Sequence, residues 1–522
     1  MVNDKLKLIY LASCNYLKRT PDFSKCMNLK NLVLKDCARL EEIDSFINQL
    51  GRLKYLEIKG KDHLPQRNIL LNVPLLLDSI GGLKSLSMLK VEYHDGVRKL
   101  PHSIGELLGL KHLSLHSCRN LRELPDSIGK LRSLLHLDLK HTSVSALPDS
   151  IGRLESLLKL IISHTQIAEL PHSIGNLKRL ELMHLSYTKI RELPKGIWTL
   201  ENLEELLVNV CNNFEGEIPS EIARLSQLRM LDLSWTKVSR LPMTINRLLN
   251  LGVLEIRSCT RLQSLPDLPT SLTDLHLASS SLQVVPDLSN LSNLYYLTIS
   301  DCDYNHELSI IERGRILHPN LEWLGRLHNL RALDVVFSDS NMHPTDLRSL
   351  SQLKRLEITC ADLRSLIGLP SSLVDLSLRD VKTPIEWSMF SNLRNLCELQ
   401  LLGCQLREIE LDNVLEQLKK LQRVVVHKSE ALVRLSNVSS LKEHQDLWVV
   451  YCPLLIEIES KPSLTGDCSS TERPIPDTLK LEKLGQLTVE YCASLQKIPN
   501  ACCTDVVGCP RLVGFDDFGR RL

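Results

Sequence analysis

The chain of 522 residues carries 63 basic and 62 acidic side chains, a formal net charge of +1, so its overall balance makes no electrostatic case for a nucleic acid or an anionic membrane as partner. Its opening residues, MVNDKLKLIYLASC, place charges where a signal peptide needs an apolar core, and no apolar run of about 18 residues follows. The expectation is a soluble intracellular protein, cytoplasmic or nuclear, that meets its partners on a surface.

In chain order, the phrase L-x-x-L-x-L opens at Leu6 (LKLIYLASC), Leu29 (LKNLVLKDC), Leu53 (LKYLEIKG) and Leu86 (LSMLKVEY). From Leu110 it becomes regular and reopens at Leu134, Leu157, Leu180 and Leu203, a period of 23 or 24 residues. A period of about 20 to 29 residues marks a leucine-rich repeat, and repeats of that size stack into solenoids. Each repeat has two halves. In LLHLDLKHT, Leu137 and Leu139 alternate with Asp138 and Lys140, the period of a strand with one dry and one wet face. In LPDSIGKL, a proline that cannot donate to a ladder precedes Ile128 and Leu131, which suits a short 3₁₀ or helical turn on the outer side. One unit buries about six or seven apolar side chains at roughly 1.5 to 3 kcal/mol each, while ordering it costs about 1.5 kcal/mol per residue. Neighbouring units must therefore stack.

Beyond the regular run, units open at Leu228, Leu251, Leu272, Leu294, Leu330, Leu353, Leu373, Leu396 and Leu421, then in degenerate form around Leu447, and again at Leu484, about twenty in all. The fold class expected is α/β: a leucine-rich-repeat right-handed solenoid, or horseshoe, with a concave parallel β-sheet and a convex side of 3₁₀ turns, short helices and loops. Residues 1–500 form the solenoid and residues 501–522 a tail. Three spacings break the rhythm, Leu53 to Leu86, Leu294 to Leu330 and Leu447 to Leu484, and predict loops on the outer or lateral side. The second keeps Leu and Ile at helical spacing and folds over the rim. In the third, KPSLTGDCSSTERPIPD (461–477) replaces the apolar period with Pro, Ser, Thr and charge and reads as a flexible excursion.

Sixteen cysteines invite a disulfide or metal reading, which their positions answer. Cys14, Cys37, Cys118, Cys211, Cys259, Cys302, Cys404, Cys452 and Cys492 all stand three residues after the last strand apolar, where Thr142, Thr165, Thr188 and Thr236 stand in other units. That place turns inward as the strand bends into the loop and takes a small side chain. Free buried thiols in such numbers fit a reducing compartment. Cys502, Cys503 and Cys509 have no paired C-x-x-C or nearby His for zinc. Phosphate-cradling, dinucleotide, zinc-protease and serine-hydrolase motifs are all missing, so no enzyme, cofactor or metal is expected. The sequons at Asn290 and Asn437 bear only on a secreted protein.

Function is expected on the residues between the strand leucines, which point away from the core. In the second column before the turn, successive units present Tyr93, Ser117, His141, His164, Tyr187, Val210 and Trp235, with His112, His116, His136 and His184 in adjacent columns. Read as strand residues, these make a lateral stripe of rings that the core does not need, which marks a protein-binding surface. Asp138, Lys140, Glu205 and Asp232 are expected as its polar rim. The competing readings are solvated strand residues, or a stripe packed against parts of a longer chain. Zinc held by His141 and His164 is disfavoured.

The wording of the units resembles the leucine-rich-repeat region of plant intracellular immune receptors, closest to the TIR, nucleotide-binding, leucine-rich-repeat type. LKRTPDFSKCMNLKNLVLKDCARLEEID (Leu17 to Asp44) is similar to the opening repeats of that region, and LRELPDSIGKLRSLLHLDL (121–139) to its later ones. The phrase LP-x-x-IG-x-L also occurs in Ras-group-related repeat proteins of plants, and NNFEGEIPSEIARL (Asn212 to Leu225) resembles extracellular plant repeats. The TIR and nucleotide-binding parts do not appear, and the chain starts five residues before its first repeat leucine. A fragment, a partial gene product or a covered first strand is expected. The resemblance implies a module that senses a pathogen effector and holds a nucleotide switch inactive. The alternative is a free-standing scaffold that binds a host signalling protein.

Overall fold

The computed structural model describes residues 5–37, 39–60, 73–301, 303–304, 310–312, 319–338, 341–438, 441, 445–459, 486–498 and 504–512. The excursion at 461–477 lies outside these, as do Cys302, Cys502, Cys503 and most of the tail. The chain divides into two compact units, Met1–Leu272 and Thr273–Leu522.

In the first unit the alternating halves of the repeats are strands: β1 (Leu8–Ala12), β2 (Asn31–Lys35), β3 (Tyr55–Lys59), β4 (Met88–Glu92), β5 (His112–Ser114), β6 (His136–Asp138), β7 (Lys159–Ile161), β8 (Leu182–His184), β9 (Glu205–Leu207), β10 (Met230–Asp232) and β11 (Val253–Ile256). Each pairs in parallel with the next along the chain. The register puts Leu113, Leu137, Leu160, Met183 and Leu206 side by side, as the repeat phrase requires. The second unit holds the same arrangement, from Asp274–Ala278 to Thr504–Val507, again with every described pairing of the main sheet parallel. This is the leucine-rich-repeat solenoid.

The core of one rung shows why the pattern folds this way. Between Leu134 and Leu154, the side chains of Leu134, Leu137, Leu139, Val144, Leu147, Ile151 and Leu154 are all buried. They converge from the strand, the return loop and the outer turn onto the space between rungs. The outer turns are 3₁₀ segments, among them His102–Glu106, Asp126–Lys130, Asp149–Arg153 and His172–Asn176, each entered from a proline with φ between −76° and −65°. Proline is suited to that entry because its fixed φ matches the turn and it leaves no donor unpaired. The glycine of the S-I-G phrase sets how closely outer turns approach: a Cβ on Gly105 would stand 2.5 Å from the Ser127 carbonyl oxygen of the next rung. The stretch resembling extracellular plant repeats adds a short parallel ladder, Glu215–Glu217 against Lys237–Arg240.

Candidate protein-recognition surface

The stripe expected on the strands is built differently from that expectation. β6 ends at Asp138 and β10 at Asp232, so His141 and Trp235 lie three residues beyond their strands. Tyr93, Ser117, His141, His164, Tyr187, Val210 and Trp235 all adopt a left-handed backbone, φ 57° to 60°. Strand alternation is therefore the wrong description of these residues: they form the corner where each strand breaks into its loop. A left-handed corner costs a non-glycine residue conformational energy, and the ladder compensates for it. The corner N–H donates to a carbonyl of the following rung, His141 to Ser163 at 3.0 Å, His164 to Ser186 at 2.8 Å, Tyr187 to Asn209 at 3.0 Å and Trp235 to Arg257 at 2.7 Å.

The left-handed corner throws successive side chains outward in one column, where they stack. His141 and His164 have ring centroids 4.1 Å apart with planes at 27°, and His164 and Tyr187 are 4.0 Å apart with planes at 13°. At the other end Tyr93 meets His116 edge-on at 5.3 Å, and His116 meets His141 at 5.6 Å. The Lys59 ammonium lies 5.2 Å from the Tyr93 ring centroid, a cation over a π face. Tyr187 is 44% exposed, while the four rings before it are half-buried. Burial lowers the pKa of His141 to about 4, with His164, His116, Lys140 and Arg119 adding positive potential. Burial likewise lowers that of His164, with Lys140 contributing.

The other expected site residues fall into two further groups. His112 and His136 share a column, paired in register with ring centroids 4.4 Å apart and edge-on. Both have lowered pKa values, first through burial and then through Lys90 and Lys111 around His112, and through His112 and Lys159 around His136. They line a shallow depression of about 250 Å³ with Lys90, Glu92, Asp138 and Lys159. His184 and Glu205 meet at 3.3 Å across adjacent rungs.

Asp138 and Asp232 serve the fold before any partner. The Asp138 carboxylate accepts the Lys140 N–H at 2.9 Å, and that of Asp232 accepts the Ser234 N–H at 2.9 Å. These bonds close the turn that leads into the left-handed corner. Burial raises both carboxyl pKa values, against the backbone bonds that lower them. In each carboxylate one oxygen, Oδ1, accepts this main-chain bond. Lys140, two residues after Asp138, is half-buried.

Inside the corner, the turn column packs as its small side chains require. Thr142 and Thr236 hydroxyls donate to the carbonyls of Leu139 and Leu233 at 2.8 Å and 2.6 Å. Cysteine thiols reach instead to the preceding rung, Cys118 to Val91 at 3.1 Å, Cys211 to Leu185 at 3.2 Å and Cys259 to Leu233 at 3.2 Å. Cys509 takes the same place, donating to Val489 at 4.0 Å. All twelve described cysteines are free.

A second ring column in the other unit was missed from sequence. Tyr451 and Tyr491 stack at 4.7 Å with planes at 9°, and His427 meets Tyr451 edge-on at 5.8 Å. The signal was present, since each tyrosine immediately precedes a turn cysteine, Cys452 and Cys492. Among the described residues no group of three His, Cys, Asp or Glu side chains converges on a metal position, and no helix is long and apolar enough to cross a membrane.

Residues 103–164 and 210–313 match the family described as leucine-rich repeat region. Two probable disease resistance proteins of Arabidopsis thaliana are similar to this chain. One is 23% identical over 278 residues, 46% of this chain and 32% of the relative. The other is 26% identical over 239 residues, 40% of this chain and 25% of the relative. The matched stretches thus span about a third and a quarter of those relatives' lengths. Among solved structures, a leucine-rich repeat protein of Leptospira interrogans superposes with a TM-score of 0.53 at 24% identity, covering 80% of this chain and 95% of that one. Sequence pattern, rung geometry and these likenesses agree: the chain carries a leucine-rich repeat region similar to that of plant disease resistance proteins.

Proposed function

We propose that the chain is the protein-recognition part of a plant intracellular immune receptor of the TIR, nucleotide-binding, leucine-rich-repeat type. It senses a pathogen effector and holds the nucleotide-binding part inactive. The observation that supports this reading is the ring column from Tyr93 to Tyr187, which packs on itself at the corner of the sheet and fills no core space. Rigid aromatic groups held in register lose little rotamer freedom on binding and supply large contact area. The similarity to probable disease resistance proteins points the same way. In this reading His112, His136, His141, His164, His184, Tyr187 and Trp235 meet the partner, with Asp138, Lys140, Glu205 and Asp232 orienting it.

The test is co-expression in leaf tissue with a receptor nucleotide-binding part that triggers cell death when freed of its own repeats. The wild-type chain should co-purify with it and suppress the response, and the folded Tyr187→Ala/Trp235→Ala variant should do so less well. A folded wild-type chain that neither binds nor suppresses would instead favour a free-standing scaffold for a host signalling protein.

A further inference from the structure

The ring column contains its own demonstration of what happens where a corner residue has no ring. Ser117 occupies the corner between Tyr93 and His141 and offers only a hydroxyl. The gap is filled from the neighbouring residue: His116 swings into it and touches both, at 5.3 Å and 5.6 Å. Four rungs further on, Val210 occupies the corner between Tyr187 and Trp235, with φ 58°. Here the preceding residue is Asn209, whose side-chain oxygen accepts from the Ser186 hydroxyl, and no ring replaces the missing one. A β-branched residue is among the least suited to a left-handed corner. Asparagine or glycine would relax the backbone there, and any ring would continue the stack.

We propose that the space over Val210 is a slot for one aromatic side chain of a protein partner, received between Tyr187 and Trp235. Neighbouring rungs are about 4.8 Å apart, so the two rings stand roughly 9 to 10 Å apart along the column. An inserted ring then has a neighbour on each side at the spacing aromatic pairs adopt, about 4.5 to 5 Å. Tyr187 stacks on His164 through one face and remains 44% exposed. Among the described residues Trp235 has no ring neighbour. The flank of the slot selects the occupant. Lys189 and Lys237 follow Tyr187 and Trp235 by two residues, and neither is in an ion pair among the described residues. Two nearby acids, Glu215, which lies opposite Lys237 in the short ladder, and Glu217, are held by Arg261 at 2.8 Å and Arg240 at 3.7 Å. Two unpaired ammonium groups oppose an arginine guanidinium and favour a neutral ring with carboxylates beside it in the sequence.

This inference rests on the reading of the sheet corner as a recognition surface and sharpens it to an acid-flanked aromatic anchor. The probes are the capped peptides Asp-Tyr-Asp, Asp-Leu-Asp and Arg-Tyr-Arg, followed by ligand-observed NMR on the full chain. The Asp-Tyr-Asp peptide should bind saturably and about tenfold more tightly than Asp-Leu-Asp, the worth of a ring placed between two others. Val210→Tyr, which builds the missing ring into the chain, should abolish the preference, while Val210→Gly, which leaves the slot open and relaxes the corner, should keep it. Equal binding of the tyrosine and leucine peptides, or a preference that survives Val210→Tyr in a folded variant, overturns the slot. The wider reading is separated by selecting random peptides on the chain. Peptides that lose binding on Tyr187→Ala but ignore Val210→Tyr leave recognition standing without the slot. The absence of any peptide dependent on Tyr187 overturns both.

Discussion

His141 and His164, 23 residues apart in the chain, lie face to face with ring centroids 4.1 Å apart because their left-handed corners sit on consecutive rungs. Two imidazoles in that position cannot both charge without repulsion. The pKa of His141 is lowered from the ordinary 6.5 to about 4, chiefly by burial, and His112, His136 and His164 shift the same way. Below pH 6.5 the unfolded chain therefore binds protons that the folded chain does not. Stability is complete above about pH 6.5 and declines as pH falls toward 4. Melting temperatures measured from pH 7 to 4.5 should drop, and the drop should be smaller in His141→Gln. Identical slopes in the two proteins would show that the column is not what titrates.

Adjacent residues at the end of β6 should differ sharply in tolerance. Leu139 is fully buried, so Leu139→Asp places an unpaired carboxylate among leucines and should cost several kcal/mol, about 3 to 5. Lys140 is half-buried at the surface, and Lys140→Asp should cost about 1 kcal/mol or less, because its anchoring bond to Asp138 is made by the backbone. Equal melting temperatures would mean the register is wrong by one residue.

The buried turn thiols should be slow to react in the folded chain. Burial pushes Cys118 and Cys404 up to about 12, and Cys211 is raised by the same cause, so little thiolate is present at neutral pH. Alkylation at pH 8 read by mass spectrometry should spare Cys118, Cys211 and Cys259 until denaturant is added, while half-buried Cys14 and Cys397 react first. Rapid labelling of the buried three would contradict their place in the column.

The repeat, the strand positions and the identity of the core were legible in the sequence, because burial between rungs forces the same leucines at the same spacing in every unit. Leu113, Leu137, Leu160, Met183 and Leu206 pair as the phrase predicts, and the turn cysteines Cys118, Cys211, Cys259, Cys404, Cys452 and Cys492 are buried, while Cys14 and Cys37 are half-buried. The rings of the proposed recognition surface could be picked out in the sequence, but not their geometry. Period-2 alternation carries no mark for the residue at which a strand stops and φ turns positive, so His141 and Trp235 read as strand. Their conformation is decided by the next rung, whose carbonyl receives the corner N–H and makes the left-handed backbone affordable. The same holds for Asp138 and Asp232, whose bonds to the turn main chain carry no mark in the sequence. The gap over Val210 exists only in the stack, since a missing ring is defined by the rings on either side of it.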